Sequence, residues 1–150
     1  MNETFQGRPV LAGSCSGETL VSHQGVNMLA SFQKSVILRS KTATCSDQNN
    51  PDLYGRLMTG KIICLPQTIG STTGGLVIQT IASLGNGPAA LLFSEHIDSL
   101  AAAGVILADT WEGKRIVVVD QLGKDFLQKV KTGDRATVFP DGRVEIDSKD

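Results

Sequence analysis

The sequence predicts a mixed α/β layer fold in which β elements outnumber helices. Three observations carry this. Residues 5–47 are β-like and irregular, broken by Gly and Ser. The middle of the chain alternates short apolar runs (Ile62-Ile63-Cys64-Leu65, Ala89-Ala90-Leu91-Leu92-Phe93, Ile116-Val117-Val118-Val119) with amphipathic ones. Runs that are apolar throughout suit strands buried on both faces. The end of the chain is a hairpin: Ala136–Phe139 and Arg143–Ile146 flank Pro140-Asp141-Gly142, a strong turn signal.

Taken in order, Gly7–Ala12 and Thr19–Ser22 are expected strands, joined by a turn at Gly13-Ser14-Cys15-Ser16-Gly17, where Gly and Ser favour chain reversal. Gly25–Phe32 is ambiguous. Ser35–Ser40 is β-branched and reads as a strand. Thr42–Pro51 is the longest polar segment, and Leu53–Gly60 a short connection with room for one helical turn. Lys61–Leu65 is a buried strand closed by Pro66. A helix is expected from Ser71 or Thr72, with Leu76, Val77, Thr80, Ile81 and Leu84 on its buried face, and Gly85-Asn86-Gly87-Pro88 ends it. Strand Ala89–Phe93 follows, then a short helix over Ser94–Ala103 with Ile97, Leu100 and Ala101 inward, then strands at Val105–Ala108 and Ile116–Val119. Lys124–Val130 is a last short helix with Phe126, Leu127 and Val130 on one side, and the four residues after the hairpin, Asp147–Asp150, are expected to fray.

Composition narrows the function. The chain has 150 residues, enough for one domain over residues 1–150 with a real core. Net charge is -1 and aromatics make up 5%, which argues against a nucleic-acid or membrane-surface footprint. No apolar stretch approaches a membrane span, and the first residues lack a secretory pattern, so a cytoplasmic protein is expected. The Asn2-Glu3-Thr4 sequon is then a chance match. Cys15, Cys45 and Cys64 are odd in number and without CxxC spacing, and the two histidines, His23 and His96, lie far from them in sequence. The pattern fits reduced thiols and no metal site within this chain.

Several motifs fail on inspection. No Lys follows Gly74-Gly75, so there is no P-loop. Gly85-x-Gly87 precedes a strand instead of following one, so it is not a dinucleotide fingerprint. Gly13-Ser14-Cys15-Ser16-Gly17 mimics a nucleophile elbow, but no helical run follows it. A Ser-His-Asp set can be drawn only by free choice of partners. What remains is Gly70-Ser71-Thr72-Thr73-Gly74-Gly75, glycines and hydroxyls between a strand and a helix. Free N–H groups at that helix start suit a carboxylate or phosphate. Ser71 or Thr72 as a plain N-cap, worth about 1 kcal/mol, is the rival reading, and spacing alone leaves both open.

A resemblance adds to this. Gly55–Pro66 followed by Ile69–Gly75 resembles the small swivelling domain of the aconitase X family. The likeness continues through Gly87–Phe93, Ala103–Ala108, Thr132–Arg135 and the hairpin, covering most of residues 53–146. The resemblance implies an aconitase-like swivelling β/β/α domain and a hydro-lyase whose large catalytic subunit is this chain's partner. It implies that any iron–sulfur cluster or metal sits on that large subunit and none is bound here. It also implies that Ser71 is the general base, removing a proton α to a carboxylate while a β-hydroxyl leaves, with Gly70, Thr72 and Thr73 binding substrate. The family includes cis-3-hydroxy-L-proline and mevalonate 5-phosphate dehydratases, and the first type of substrate is the one expected here. True aconitases carry an Arg two places after the catalytic Ser. That place is Thr73, which implies a substrate with fewer carboxylates than citrate. In the polar loop, Asp47, Asn49 and Asn50 are candidates to line the same cleft. The alternative from another class is a stand-alone anion- or small-molecule-binding module.

Overall fold

The computed structural model describes residues 2–70 and 74–148. Its elements in chain order are β1 (Asn2–Gln6), β2 (Arg8–Leu11), β3 (Cys15–Val21), β4 (Val26–Asn27), α1 (Met28–Leu38), β5 (Ile62–Leu65), β6 (Thr68–Ile69), α2 (Gly74–Ser83), β7 (Ala90–Phe93), α3 (Ser99–Trp111), β8 (Val117–Asp120), α4 (Lys124–Lys129), β9 (Arg135–Val138) and β10 (Arg143–Asp147). Eight strands hydrogen-bond in the order β1-β10-β9-β3-β5-β7-β8-β2, and β4 and β6 form a separate short pair. The two ends of the long order, β1 and β2, are separated in the chain by Gly7 alone, so the sheet curls back until both edges come from one bent segment.

The strand β3 divides the sheet in two. Its first half, Cys15–Glu18, pairs antiparallel with β9, and its second half, Thr19–Val21, pairs parallel with β5. One layer is therefore antiparallel (β1, β10, β9), and the other is mainly parallel (β5, β7, β8). The helices α1, α2 and α3 cover the outer face of the parallel layer, giving the β/β/α arrangement. Every residue of β5, β7 and β8 is buried, because these strands are covered on both faces. Alternate residues serve two cores. Ile63, Leu65, Leu91, Phe93 and Val118 meet the helices. Ile62, Cys64, Ala90, Leu92, Val117 and Val119 meet the antiparallel layer and Phe126 of α4, whose ring stands edge-on to Phe5. Among the described residues no helix is long and apolar enough to cross a membrane.

The central strands, α4 and the hairpin fall where the sequence put them. Six expectations need correction. Ser35–Ser40 belongs largely to α1, whose inward face is Met28, Ser31, Phe32 and Ser35; this is helical spacing, with serines in place of two apolar residues. Val105–Ala108 is the second half of α3, not a strand, and its first turn is set by Asp98. The expected turn at 13–17 is partly strand, since β3 already starts at Cys15. The buried face of α2 is Gly75, Val77, Ile78, Ile81 and Ala82, leaving Leu76 63% exposed, and Leu100 of α3 also points outward. Asp147 is paired with Asn2 on β1, a strand whose polar residues gave no alternating signal. The expected fraying of Lys149 and Asp150 lies outside the described residues.

The rotation of α2 has a cause. Its Gly75 packs against Gly104 of α3, and a Cβ on Gly104 would stand 2.5 Å from the Gly75 carbonyl oxygen. The two backbones meet at a distance that only glycine allows. Gly104→Ala is expected to force α2 and α3 apart and to cost about 1–3 kcal/mol, measured as a lower denaturant midpoint with unchanged slope.

Candidate active site

Because β3, β5 and β7 run parallel, with β8 beside β7, their C-terminal ends share one rim. Ligands in such sheets bind outside those ends. The chain leaving β3 returns as β4, the chain leaving β5 returns as β6, and these two pair on the rim through Val26 with Thr68 and Asn27 with Ile69. Three helices depart from the same rim. Asn27 caps α1, its Oδ1 accepting from the Ala30 N–H at 3.0 Å, and Asp98 caps α3, its Oδ2 accepting from the Ala101 N–H at 3.0 Å. The described part of α2 begins at Gly74. Ser71, Thr72 and Thr73, the central candidates of the sequence, lie outside the described residues.

Between the ends of β6 and the starts of α2 and α3 is a cleft of about 240 Å³ bordered by Thr68, Ile69, Gly70, Gly74, Asp98 and Leu100, among others. The Thr68 hydroxyl donates to Asp98 Oδ1, so one carboxylate both starts α3 and holds the strand that leads to Gly70. Gly70 has φ +96, and a Cβ there would run into the Asn27 side-chain amide. The position therefore demands glycine on two counts, conformation and space. Ile69 and Leu100 on the border are 49% and 43% exposed.

The polar-loop candidates have other neighbours. Asn50 is fully buried; its Nδ2 donates to Ser22 Oγ at 3.0 Å, and its Oδ1 accepts from the N–H groups of Asp52 and Leu53. Asp47 is also buried, and its Oδ1 accepts from the Asn49 N–H at 2.9 Å. The Gly70 cleft is bordered without either of them. Asn50 instead pins the polar loop to Ser22, the first residue after β3. A larger depression of about 580 Å³ lies between α1 and the polar loop, bordered by Lys34, Leu38, Thr42 and Gln48 among others. Among the described residues no strand end or helix start borders it, so the smaller cleft is the better candidate.

At the far side of the rim, the carboxylate of Asp120 is completely enclosed. Its Oδ1 accepts from Arg8 Nε at 2.9 Å, and its Oδ2 accepts from Arg8 Nη2 at 2.7 Å and from the Ile97 N–H at 2.8 Å. Burial pushes this carboxyl up, but the Arg8 hydrogen bonds and the Ile97 N–H outweigh it and hold Asp120 below the usual carboxylate range.

Burial pushes the Cys64, Cys45 and Cys15 thiols all upward, so in this chain alone they are not activated nucleophiles. Among the described residues no three of His, Cys, Asp and Glu converge to hold a metal ion.

Sequence reasoning missed Asn27, Thr68, Asp98 and the Arg8–Asp120 pair. One of these had a readable signal. Asp98 directly before Ser99-Leu100-Ala101 is an N-cap pattern, and it relocates the helix start from Ser94. The others are long-range pairings that no local pattern reveals.

Comparison with known proteins gives a consistent picture. A family model described as the aconitase X swivel domain matches residues 4–146. The chain is 32% identical over 143 residues to a phosphomevalonate dehydratase small subunit of Pyrococcus furiosus, covering 95% of this chain and 94% of that one. It is 33% identical over 144 residues to a cis-3-hydroxy-L-proline dehydratase of Pseudomonas aeruginosa, covering 93% of this chain but 22% of that one. A crystal structure of Thermococcus kodakaraensis aconitase X in its holo form superposes with a TM-score of 0.81 at 27% identity, over 97% of this chain and 99% of that one.

Two predictions follow from the rim. Asp98→Ala removes a cap and the Thr68 acceptor together, and is expected to lower stability by about 1–3 kcal/mol, whereas Asp98→Asn keeps the cap and loses less, both read from denaturant midpoints. The second concerns acid. A carboxyl held low in the folded state stabilises above its ordinary value of 3.8 and loses that contribution as pH falls through the lower folded value. Arg8→Met leaves burial as the main influence on Asp120, so the acid-unfolding midpoint is expected to move to higher pH, followed by circular dichroism.

Proposed function

The chain belongs to the aconitase X swivel-domain family, and from that membership we propose that it is the small subunit of a two-subunit hydro-lyase dehydrating a small hydroxy acid. The observation that carries this reading is the cleft at Gly70. It lies at the carboxyl ends of the parallel strands, and Ile69 and Leu100, half-exposed on its border, are the kind of apolar surface a partner covers. End-to-end correspondence with separate small subunits supports a large catalytic subunit as that partner. In this reading any iron–sulfur cluster or metal belongs to the large subunit, and this chain supplies groups that bind and orient the substrate and accept its proton. A reducing, cytoplasmic setting suits its free thiols.

We assign the general base to Ser71, which stands in the chain directly after Gly70. A serine hydroxyl is a weak base in water. It becomes effective only where backbone N–H groups stabilise the oxyanion and a closing partner excludes solvent. Gly70, Thr72 and Thr73 are the substrate contacts in this assignment, and Asn50 and Asp47 serve by fixing the polar loop against the strand ends. For the substrate, relatives of matching length carry the name phosphomevalonate dehydratase small subunit, which favours mevalonate 5-phosphate. Hydroxyproline is the second reading, favoured by the 33% identity to the longer cis-3-hydroxy-L-proline dehydratase.

The test is turnover of the complex reconstituted with its large subunit. Ser71→Ala is expected to leave complex formation intact and to cut kcat by about 10²-fold or more. Near-full turnover in the variant removes Ser71 from the mechanism.

A further inference from the structure

Arg8 and His96 stand together on the rim outside the Gly70 cleft, and the function just described does not use them. Arg8 is locked by two hydrogen bonds to the enclosed Asp120, yet half of its side chain is exposed. His96 Nδ1 lies 2.7 Å from the Ile97 carbonyl oxygen; a carbonyl only accepts, so the proton is on Nδ1 and the ring is held with Nε2 facing Arg8 Nη2 at 3.4 Å. The loop carrying His96 is itself fixed. The N–H groups of Gln121, Leu122 and Gly123 donate to the carbonyls of Glu95, Phe93 and Ser94 at 2.9–3.1 Å, and Gln121 adopts φ +57 to do so. A buried carboxylate that aims one half-exposed guanidinium and also holds the Ile97 N–H, beside an imidazole fixed by its own backbone, makes a preorganised anion site.

We propose that Arg8 and His96 form a subsite for the terminal phosphate of a phosphorylated hydroxy-acid substrate. The proposal rests on the hydro-lyase reading above and names the substrate class of that same rim. Its position fits. Asp98, two residues beyond His96, borders the cleft. The strand ending at Asp120 is two places from β5 in the sheet, so the pair stands on the same rim as the cleft but beside it. A proline ring, whose only carboxylate adjoins the reacting carbons, leaves the subsite unused. Arg8 Nη1 has no partner among the described hydrogen bonds and is left to donate to a phosphate oxygen.

The test uses the complex with its large subunit, carrying His96→Ala, His96→Gln or Arg8→Lys. His96 is exposed, so its variants do not threaten folding, and Arg8→Lys retains a cation beside Asp120. KM and kcat are measured on mevalonate 5-phosphate and on cis-3-hydroxy-L-proline, with inhibition by inorganic phosphate. The expected result is a rise of about tenfold or more in KM for the phosphorylated acid, a parallel weakening of phosphate inhibition, and kcat within about twofold. Unchanged KM in all three variants overturns the subsite, as does a wild-type complex that turns over only the unphosphorylated acid. If the wild-type complex dehydrates neither acid, the hydro-lyase reading fails separately. Calorimetry with inorganic phosphate then decides the subsite: binding that His96→Ala abolishes upholds it, and no binding overturns it.

Discussion

Everything in this fold depends on one constraint: the parallel strands must be covered on both faces at once. A strand with Ile63 and Leu65 on one side and Ile62 and Cys64 on the other cannot leave either side in water. The helices satisfy one face and the antiparallel layer the other. Because strands of one direction need crossovers, each connection leaves from the same edge. The rim with its turns and helix starts is thus a by-product of burying β5, β7 and β8.

What stands on the rim is shaped by polar groups with two tasks each. Asp98 starts α3 and holds Thr68. Asn27 starts α1 and leaves room only for a glycine at residue 70. Asn50 closes its own loop and ties it to Ser22. Asp120 orients Arg8 and fixes Ile97. Such shared groups hold the border of the cleft in one arrangement, and a rigid border is what lets a bound ligand be positioned.

Much of this was legible in the residues. The wholly apolar runs and the Pro140-Asp141-Gly142 turn each carry a local physical signature. Where the reading failed, small or polar residues had replaced the expected apolar ones. In α1 the inward face includes Ser31 and Ser35 while Ile37 and Leu38 point out, so composition suggested a strand. In α3 the inward face is Ala101, Gly104, Val105 and Ala108, because close approach to Gly75 needs small residues, and Ile106 is left half-exposed. The Arg8–Asp120 and Asn50–Ser22 contacts join residues 112 and 28 positions apart, beyond any local pattern.

The central claim is that the rim at the carboxyl ends of the parallel strands is the face that closes against the large subunit. Hydrogen exchange of this chain, free and in complex, tests it most directly. The account predicts slowed exchange over residues 22–27, 66–70 and 94–98 in the complex, with β1 and the β9–β10 hairpin unchanged. Protection confined to that hairpin, with the rim exchanging as in the free chain, would contradict it.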